Sequence, residues 1–385
     1  MHNRREFLKR IALLGAAATL PIRSLLADNP LMPKPVGDGL ATVSHSKELN
    51  RTKTPRKITI PDVGEFKVLK GDFHIHTLFS DGHVMPRDRV LEAVDNGLDV
   101  IAITDHIEHR PNLGSGKLKL AENNDDHNVA YNFAKPEAEK NNLILVHGTE
   151  ITKKVMPPGH FNALFVEDVN AMAAVVDDWR KMLAVATDQG GFVHWNHPGW
   201  VAPTSGGLER GAPMRFFDEI EEVRAKGHLH GVEVFNGTSF YPIALDWCNE
   251  RDLAPVANTD IHQSDWNTYG HQNPLRPMTL LFAKDRSYES VREAFFAKRV
   301  VGWAANMILG RQPWVEKLFR SSVEIKKGGN GLALQNLSDI PCLINVDGKT
   351  QELAAQGSLE LAASNKLTVA NWFVGMNKPL EIAVS

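Results

Sequence analysis

From residue 68 onward, eight short apolar runs recur, at 68–76, 98–104, 143–150, 161–166, 191–194, 231–235, 254–258 and 278–282. Between several of them lie amphipathic stretches, at 87–96, 171–189 and 288–298. Strands alternating with helices predict an α/β architecture with a mostly parallel sheet. The third and fourth runs are joined by only about ten residues, containing Met156-Pro157-Pro158-Gly159. That gap is too short for a crossover helix, so a regular eightfold barrel is not expected. After Gln312 the pattern changes. Short strand-like runs at 323–325, 332–334, 342–346, 358–361, 366–370 and 380–384 are separated by turn signals such as Asp347-Gly348, with no helical stretch between them. This predicts a small all-β sandwich domain, and it contains no histidine.

The chemistry-bearing residues sit where the apolar runs end. The first run finishes in Asp72-Phe73-His74-Ile75-His76, followed by Ser80-Asp81-Gly82-His83. Residues two apart on a strand point to one face, so His74 and His76 can converge on one ion. The second run ends in Thr104-Asp105-His106 and the third in Gly148-Thr149-Glu150, while His160 opens the fourth. The fifth closes on His194-Trp195-Asn196-His197-Pro198, and the seventh on Thr259-Asp260-Ile261-His262, a second same-face pair. A single histidine at a strand end is ordinarily a hydrogen-bonded or surface residue, and a single aspartate there is a helix cap. Six runs of one α/β domain each placing His, Asp or Glu at an end is a different matter. Carboxylates and imidazoles crowded at one rim conflict unless cations sit among them. A metal centre is therefore expected.

Histidine is the compositional outlier, with 16 in 385 residues. A formal net charge of -3 leaves no basic footprint for nucleic acid. Only Cys248 and Cys342 are present, so no thiolate zinc site can be built; two core thiols are expected, with a single bridge as the alternative. Residues 1–27 read as an export signal: Arg4-Arg5-Glu6-Phe7-Leu8-Lys9 precedes a short, moderately apolar run, and Ala27 suits cleavage. The paired arginines resemble a bacterial twin-arginine signal, with Asn3 where Ser or Thr is usual, which implies a periplasmic or otherwise exported protein. The run is too short for a comfortable membrane span. Residues 28–64 read as an arm, 65–311 as the α/β domain and 312–385 as the β domain.

His74-x-His76 with Ser80-Asp81-Gly82, Thr104-Asp105-His106, Gly148-x-Glu150, His197-Pro198 and Asp260-x-His262 together resemble the PHP (polymerase and histidinol phosphatase) family. The resemblance covers roughly residues 68–300, with separated motifs in the family's order. Thr104-Asp105-His106-Ile107-Glu108-His109-Arg110-Pro111 and the appended β domain resemble its two-domain bacterial members, predicted metal-dependent phosphoesterases. The resemblance implies a distorted seven-stranded β/α barrel. It implies metal ligands at His74, His76, Asp81, His106, Glu150, His160, His197, Asp260 and His262, with Glu150 shared between ions. Some members use a histidine in place of the Ser-Asp-Gly aspartate, so His83 is the alternative to Asp81. Asp105 is expected to act beside the metals, orienting an imidazole or taking part in catalysis.

Imidazole and carboxylate ligands without thiolate suit two or three zinc, manganese or iron ions and argue against calcium. Such ions lower the pKa of bound water from 15.7 towards about 7, and the expected reaction is attack of a metal-bridging hydroxide on a small phosphate monoester or diester. Arg110, His83, His109, His127 and His194 are candidates for holding substrate at the mouth, Arg110 by a bidentate phosphate contact. Trp195 and Trp200 flank His197, and either could stack on a base or sugar or simply pack. Two rival readings remain: an amidohydrolase-type barrel cleaving C–N or C–O bonds, and a non-catalytic metal-binding scaffold. The first commonly bridges its ions with a modified strand lysine, whereas Lys153 and Lys154 lie beyond the third run.

Overall fold

The structure is a computed structural model that describes residues 55–113, 125–151, 158–200, 214–269, 275–328 and 331–384. The export signal, most of the 28–64 arm and Lys153 and Lys154 lie outside the described residues.

The first half runs β1 (Lys67–Asp72), α1 (Pro86–Asp95), β2 (Val100–Ile103), α2 (Val129–Lys140), β3 (Ile144–Ile151), β4 (Phe161–Leu164), α3 (Val169–Ala173), α4 (Trp179–Asp188) and β5 (Phe192–Trp195). It continues through α5 (Asp218–Ala225), β6 (Gly231–Asn236), β7 (Ser239–Phe240), α6 (Pro242–Glu250), β8 (Ala254–Asn258), α7 (Asp265–Tyr269), β9 (Met278–Ala283), α8 (Tyr288–Phe296), β10 (Val300–Ala304) and β11 (Met307–Gly310). The β2 strand is apolar throughout and β9 is apolar but for Thr279, and both are buried at every position, as strands covered on both faces must be. Helix α8 starts where the Ser287 side chain accepts from the Ser290 amide, and Pro86 opens α1 where its missing N–H costs nothing.

The long sheet is mixed, which corrects the mostly parallel expectation. Strands β1, β2 and β3 pair in parallel, as do β5, β6 and β8. Between these sets, β4 is antiparallel to both β3 and β5, consistent with the short connection that could hold no crossover helix. Strand β9 is antiparallel to β1. Among the described residues the hydrogen-bonded ladder does not close. The extended ends of β1 and β8 meet through one isolated bridge, Ile75 to Ile261, flanked by His76 N–H donating to the Ile261 carbonyl and Asp260 N–H to the His74 carbonyl. The helix anticipated at 171–189 is two helices, because Asp178 accepts from the Arg180 and Lys181 amides and starts α4 afresh.

The chain then runs α9 (Gln312–Ser322), β12 (Val323–Gly328), β13 (Gly331–Asn336), β14 (Cys342–Val346), β15 (Lys349–Leu353), β16 (Ser358–Ala362), β17 (Lys366–Gly375) and β18 (Lys378–Ala383). Strands β12, β13 and β16 form a separate three-stranded sheet. The other four join the long sheet, since the second half of β17 pairs in parallel with β11 after an irregularity beyond Val369. Leu334 and Leu361 from the small sheet share one core with Ile344, Val369 and Ile382 from the large one, and with Leu318 and Phe319 of α9. Cys248 and Cys342 are both buried free thiols. Among the described residues no helix is long and apolar enough to cross a membrane.

Candidate metal centre

The ends of β1, β2, β3, β5 and β8 bring the polar residues to one rim. His74 and His76 extend β1, and Asp260 and His262 extend β8 beside them across the isolated bridge. His106 follows β2, and is bridged to Glu150 near the end of β3. Asp260 and His197 have positive φ, 53° and 27°, a conformation that costs an ordinary residue free energy and clusters at functional sites. Each is held there by its amide, which donates to the His74 carbonyl and to Glu233 Oε2 (2.7 Å) respectively.

Three overlapping groups of side chains offer ligand atoms within 4.8 Å of one another: His76, Asp81, His106 and His262; His74, Glu150 and His197; His74, His76 and Asp260. Glu150, 1% exposed, stands among them. Its Oε2 lies 3.4 Å from His74 Nε2, 3.2 Å from His76 Nε2 and 3.0 Å from His106 Nδ1. Asp260 Oδ1 faces the same two Nε2 atoms at 3.2 and 3.1 Å. In spite of these distances, His74 Nε2, His76 Nε2 and Glu150 Oε2 make no acceptable hydrogen bond, and all three are buried. Leaving buried polar atoms unsatisfied costs roughly 1–3 kcal/mol each, so lone pairs aimed at a common centre fit a cation there. The donor set of imidazole and carboxylate suits a divalent transition metal.

The surroundings fix which nitrogen faces inward. His74 Nδ1 is 2.9 Å from Glu233 Oε1, and His262 Nδ1 is 2.8 Å from the Asp260 carbonyl; a proton on each Nδ1 leaves Nε2 for the centre. Burial alone would push the His106 imidazole down, but the charge of Glu150 and a hydrogen bond to Asp81 outweigh it and raise it to about 9. Burial opposes ionisation of Glu150 too, yet His106, His160 and His74 hold it well below the usual carboxylate range. His106 and Glu150 thus form a charged pair, and cation binding would displace the proton from His106.

The geometry separates the sequence candidates. Asp81 belongs to the four-residue group, whereas His83 is exposed, with its Nδ1 at 2.5 Å from Gln263 Nε2. His160 falls in none of the three groups: its Nδ1 contacts Glu150 Oε1 at 2.8 Å, which also accepts from Asn196 (2.9 Å). Asp105 is bonded to the turn that follows His76. It accepts from Thr77 N (2.7 Å), Thr77 Oγ1 and Ser80 Oγ (both 2.5 Å), and Ser80 Oγ lies 3.4 Å from His76 Nδ1, so it orients that imidazole through a hydroxyl. His194 does not reach the mouth. Two residues from Phe192 on β5, it points to the same buried side, 3.9 Å from Glu233 Oε1, and burial holds its imidazole at about 4. Arg110 Nε donates to the Phe79 carbonyl (3.0 Å) and Nη1 lies 3.4 Å from His127 Nδ1, while His109 Nε2 is 3.7 Å from Asp81 Oδ2. Trp195 is fully buried and stacks on Trp247; Trp200 sets its ring edge-on to His160 and His197.

Two residues escaped the sequence reading. Glu233 is fully buried on β6 and accepts from His74, the His197 amide, Asn236 and Asn258. Asn196 braces Glu150. The signal for Glu233 was present as a lone charge between Val232 and Val234 inside an apolar run.

No family model and no curated protein matches the chain. Among solved structures it is similar to a two-domain protein from Bacteroides vulgatus containing a predicted PHP-like metal-dependent phosphoesterase, at 30% identity and a TM-score of 0.76, over 87% of this chain and 100% of that one. A candidate metal-dependent phosphoesterase from Bifidobacterium adolescentis overlaps 58% of this chain and 94% of its own, at 18% identity and a TM-score of 0.37. An amidohydrolase from Chromobacterium violaceum overlaps 52% and 90%, at 13% identity and a TM-score of 0.35. With 30% identity sustained over the whole of the Bacteroides vulgatus protein, and with the rim residues converging as described, the chain belongs to the PHP-like family in its two-domain form.

Proposed function

We propose that the protein is a metal-dependent phosphoesterase acting on a small phosphate monoester or diester. The observation that carries this is the convergence of three His/Asp/Glu groups around Glu150, with buried Nε2 and carboxylate atoms left without hydrogen bonds. Two or three zinc, manganese or iron ions held by His74, His76, Asp81, His106, Glu150, His197, Asp260 and His262 would supply an activated water and neutralise charge on the phosphoryl oxygens. The chain's own residues prepare the site for this. Glu233 keeps the His74 proton on Nδ1, and Asn196 and His160 hold Glu150 Oε1, leaving Oε2 directed at the imidazoles. Arg110, braced by the Phe79 carbonyl and His127, supplies a guanidinium suited to a phosphate oxygen, and His109 beside Asp81 and the exposed His83 are candidate proton donors to a leaving oxygen. The N-terminal signal supports an exported protein acting on phosphoesters outside the cytoplasm.

The test is hydrolysis of bis-p-nitrophenyl phosphate and p-nitrophenyl phosphate by metal-analysed protein, beside a His74→Ala/His76→Ala variant. Activity in the wild type that the variant lacks sustains the reading, and the ratio of the two rates distinguishes diesterase from monoesterase. A fully metal-loaded wild type inert on both substrates overturns it and turns attention to amide and lactone hydrolysis or to a scaffold role.

A further inference from the structure

Arg89 lies on α1, outside every ligand group, and is 1% exposed. A guanidinium has five N–H donors in a fixed planar fork, and here all five are committed. Nε donates to the His76 carbonyl (3.0 Å). One terminal nitrogen donates to the Gln263 carbonyl (2.7 Å) and to Glu92 Oε2 (2.8 Å). The other donates to the carbonyls of Ile261 (3.1 Å) and His262 (2.9 Å). Four of the five bonds therefore end on main-chain oxygens of two strand ends far apart in sequence. Two of those oxygens belong to His76 and His262, whose rings stack at 4.2 Å in the four-residue ligand group. The Ile261 carbonyl also accepts from the His76 amide, so the guanidinium sits on the isolated bridge that joins these ends.

We propose that Arg89 is a positioning residue for the metal centre, clamping the main chain of both ligand-bearing strand ends so that His76, Asp81, His106 and His262 keep a common focus. The proposal rests on the metal-centre reading above. A buried charge with one carboxylate partner is a poor way to gain stability, since an apolar side chain of similar volume would do as well or better. Its geometry is what an apolar residue cannot replace. Ligand atoms must be held to within about 0.5 Å for productive coordination, and the ladder between these strand ends is too short to do so alone. A lysine offers three donors on one atom and cannot span four carbonyls.

The experiment compares the full-length wild type, Arg89→Lys and a matched control, Arg299→Lys, all stripped with a chelator and titrated with Zn²⁺ against a chromophoric competitor. Arg299 is also buried and also bonds one strand carbonyl, Phe282, and one carboxylate, Glu293, but touches no ligand-bearing segment. Arg89→Lys is expected to bind one zinc equivalent about 10–100-fold more weakly, the loss typical when a ligand's support is removed. Its metal-free unfolding midpoint should fall no further than that of Arg299→Lys, whose zinc binding stays at the wild-type level. Equal zinc binding by wild type and Arg89→Lys, or equal losses in both lysine variants, overturns the proposal while leaving the metal centre standing. A wild type that takes up no zinc overturns both. Should Arg89→Lys fail to fold, Glu92→Gln, which removes the charge partner of the guanidinium and keeps one oxygen that can still accept from the Asp265 amide, is expected to weaken the same equivalent about threefold, and no change overturns the proposal.

Discussion

Asn336 and Glu150 are both fully buried polar side chains on strands, and their surroundings differ. On β13, Asn336 donates from Nδ2 to the carbonyls of Ile340 and Ala354, and its Oδ1 accepts from the amide and hydroxyl of Ser338. Every polar atom has a partner, and the network ties the small sheet's turn together. At the rim, Glu150 Oε1 is satisfied by Asn196 and His160, while Oε2 faces three imidazoles without a hydrogen bond. A buried network left half satisfied is worse for stability than an apolar core. The Asn336 network is complete as folded, whereas the rim is built to receive something that completes it.

The most severe way to break this contrast is Glu150→Gln, which keeps the shape and removes the charge. Phosphoester hydrolysis is expected to fall by on the order of a thousandfold, about 4 kcal/mol in the barrier, with a lower metal content. Steady-state kinetics beside metal analysis checks this, and full activity at unchanged metal content would sink the role given to Glu150. The counterpart in the other region is Ile344→Ala. Ile344 is fully buried in the shared core, so its truncation is expected to cost about 3 kcal/mol in denaturant unfolding and leave the ions per chain unchanged. Loss of metal in that variant would mean that the two regions are less separable than their chemistry suggests.

Between these lies Glu233→Gln. The amide still fills the space but is a weaker acceptor for the His74 Nδ1 proton and the His197 amide. Metal affinity is expected to fall about 10–100-fold with stability little changed, as measured by competitive titration. An unaltered affinity would show that His74 keeps its orientation without the carboxylate.

How far the sequence discloses this architecture depends on how local the cause of each feature is. The ligand pairs on β1 and β8 were readable because a period of two puts both members on one face. The C-terminal strands other than β15 were readable because turn residues punctuate them, although their division between two sheets was not. Strands β10 and β11 were missed because Ala305 and Asn306, both at positive φ, make their tight turn without the glycine that usually announces one. Helix α2 was hidden by Pro136 in its middle. Glu233 lay in plain view, but a charge inside a strand acquires meaning only when His74, from a different strand, is known to lie 2.9 Å away. Arg89 is the same case carried further, since its partners are carbonyls, which carry no mark in the sequence.

The smallest expected effect concerns His147, three residues before Glu150 on the same strand and facing the other way. It is 6% exposed and stacks on Tyr131 of α2 at 4.2 Å, and burial holds its imidazole down at about 4. An unfolded histidine titrates near 6.5, so below that pH the unfolded chain takes up a proton that the folded one refuses. The stability this residue contributes is therefore complete above pH 6.5 and is lost as pH falls towards 4. Between pH 6.5 and 5.5 the loss amounts to about 1 kcal/mol. Denaturant unfolding of the metal-free protein at those two pH values, beside His147→Gln, measures it: the variant should lose that share of the slope. An identical slope would mean that His147 accepts its proton in place, and that the helix-facing side of β3 tolerates charge as the rim does.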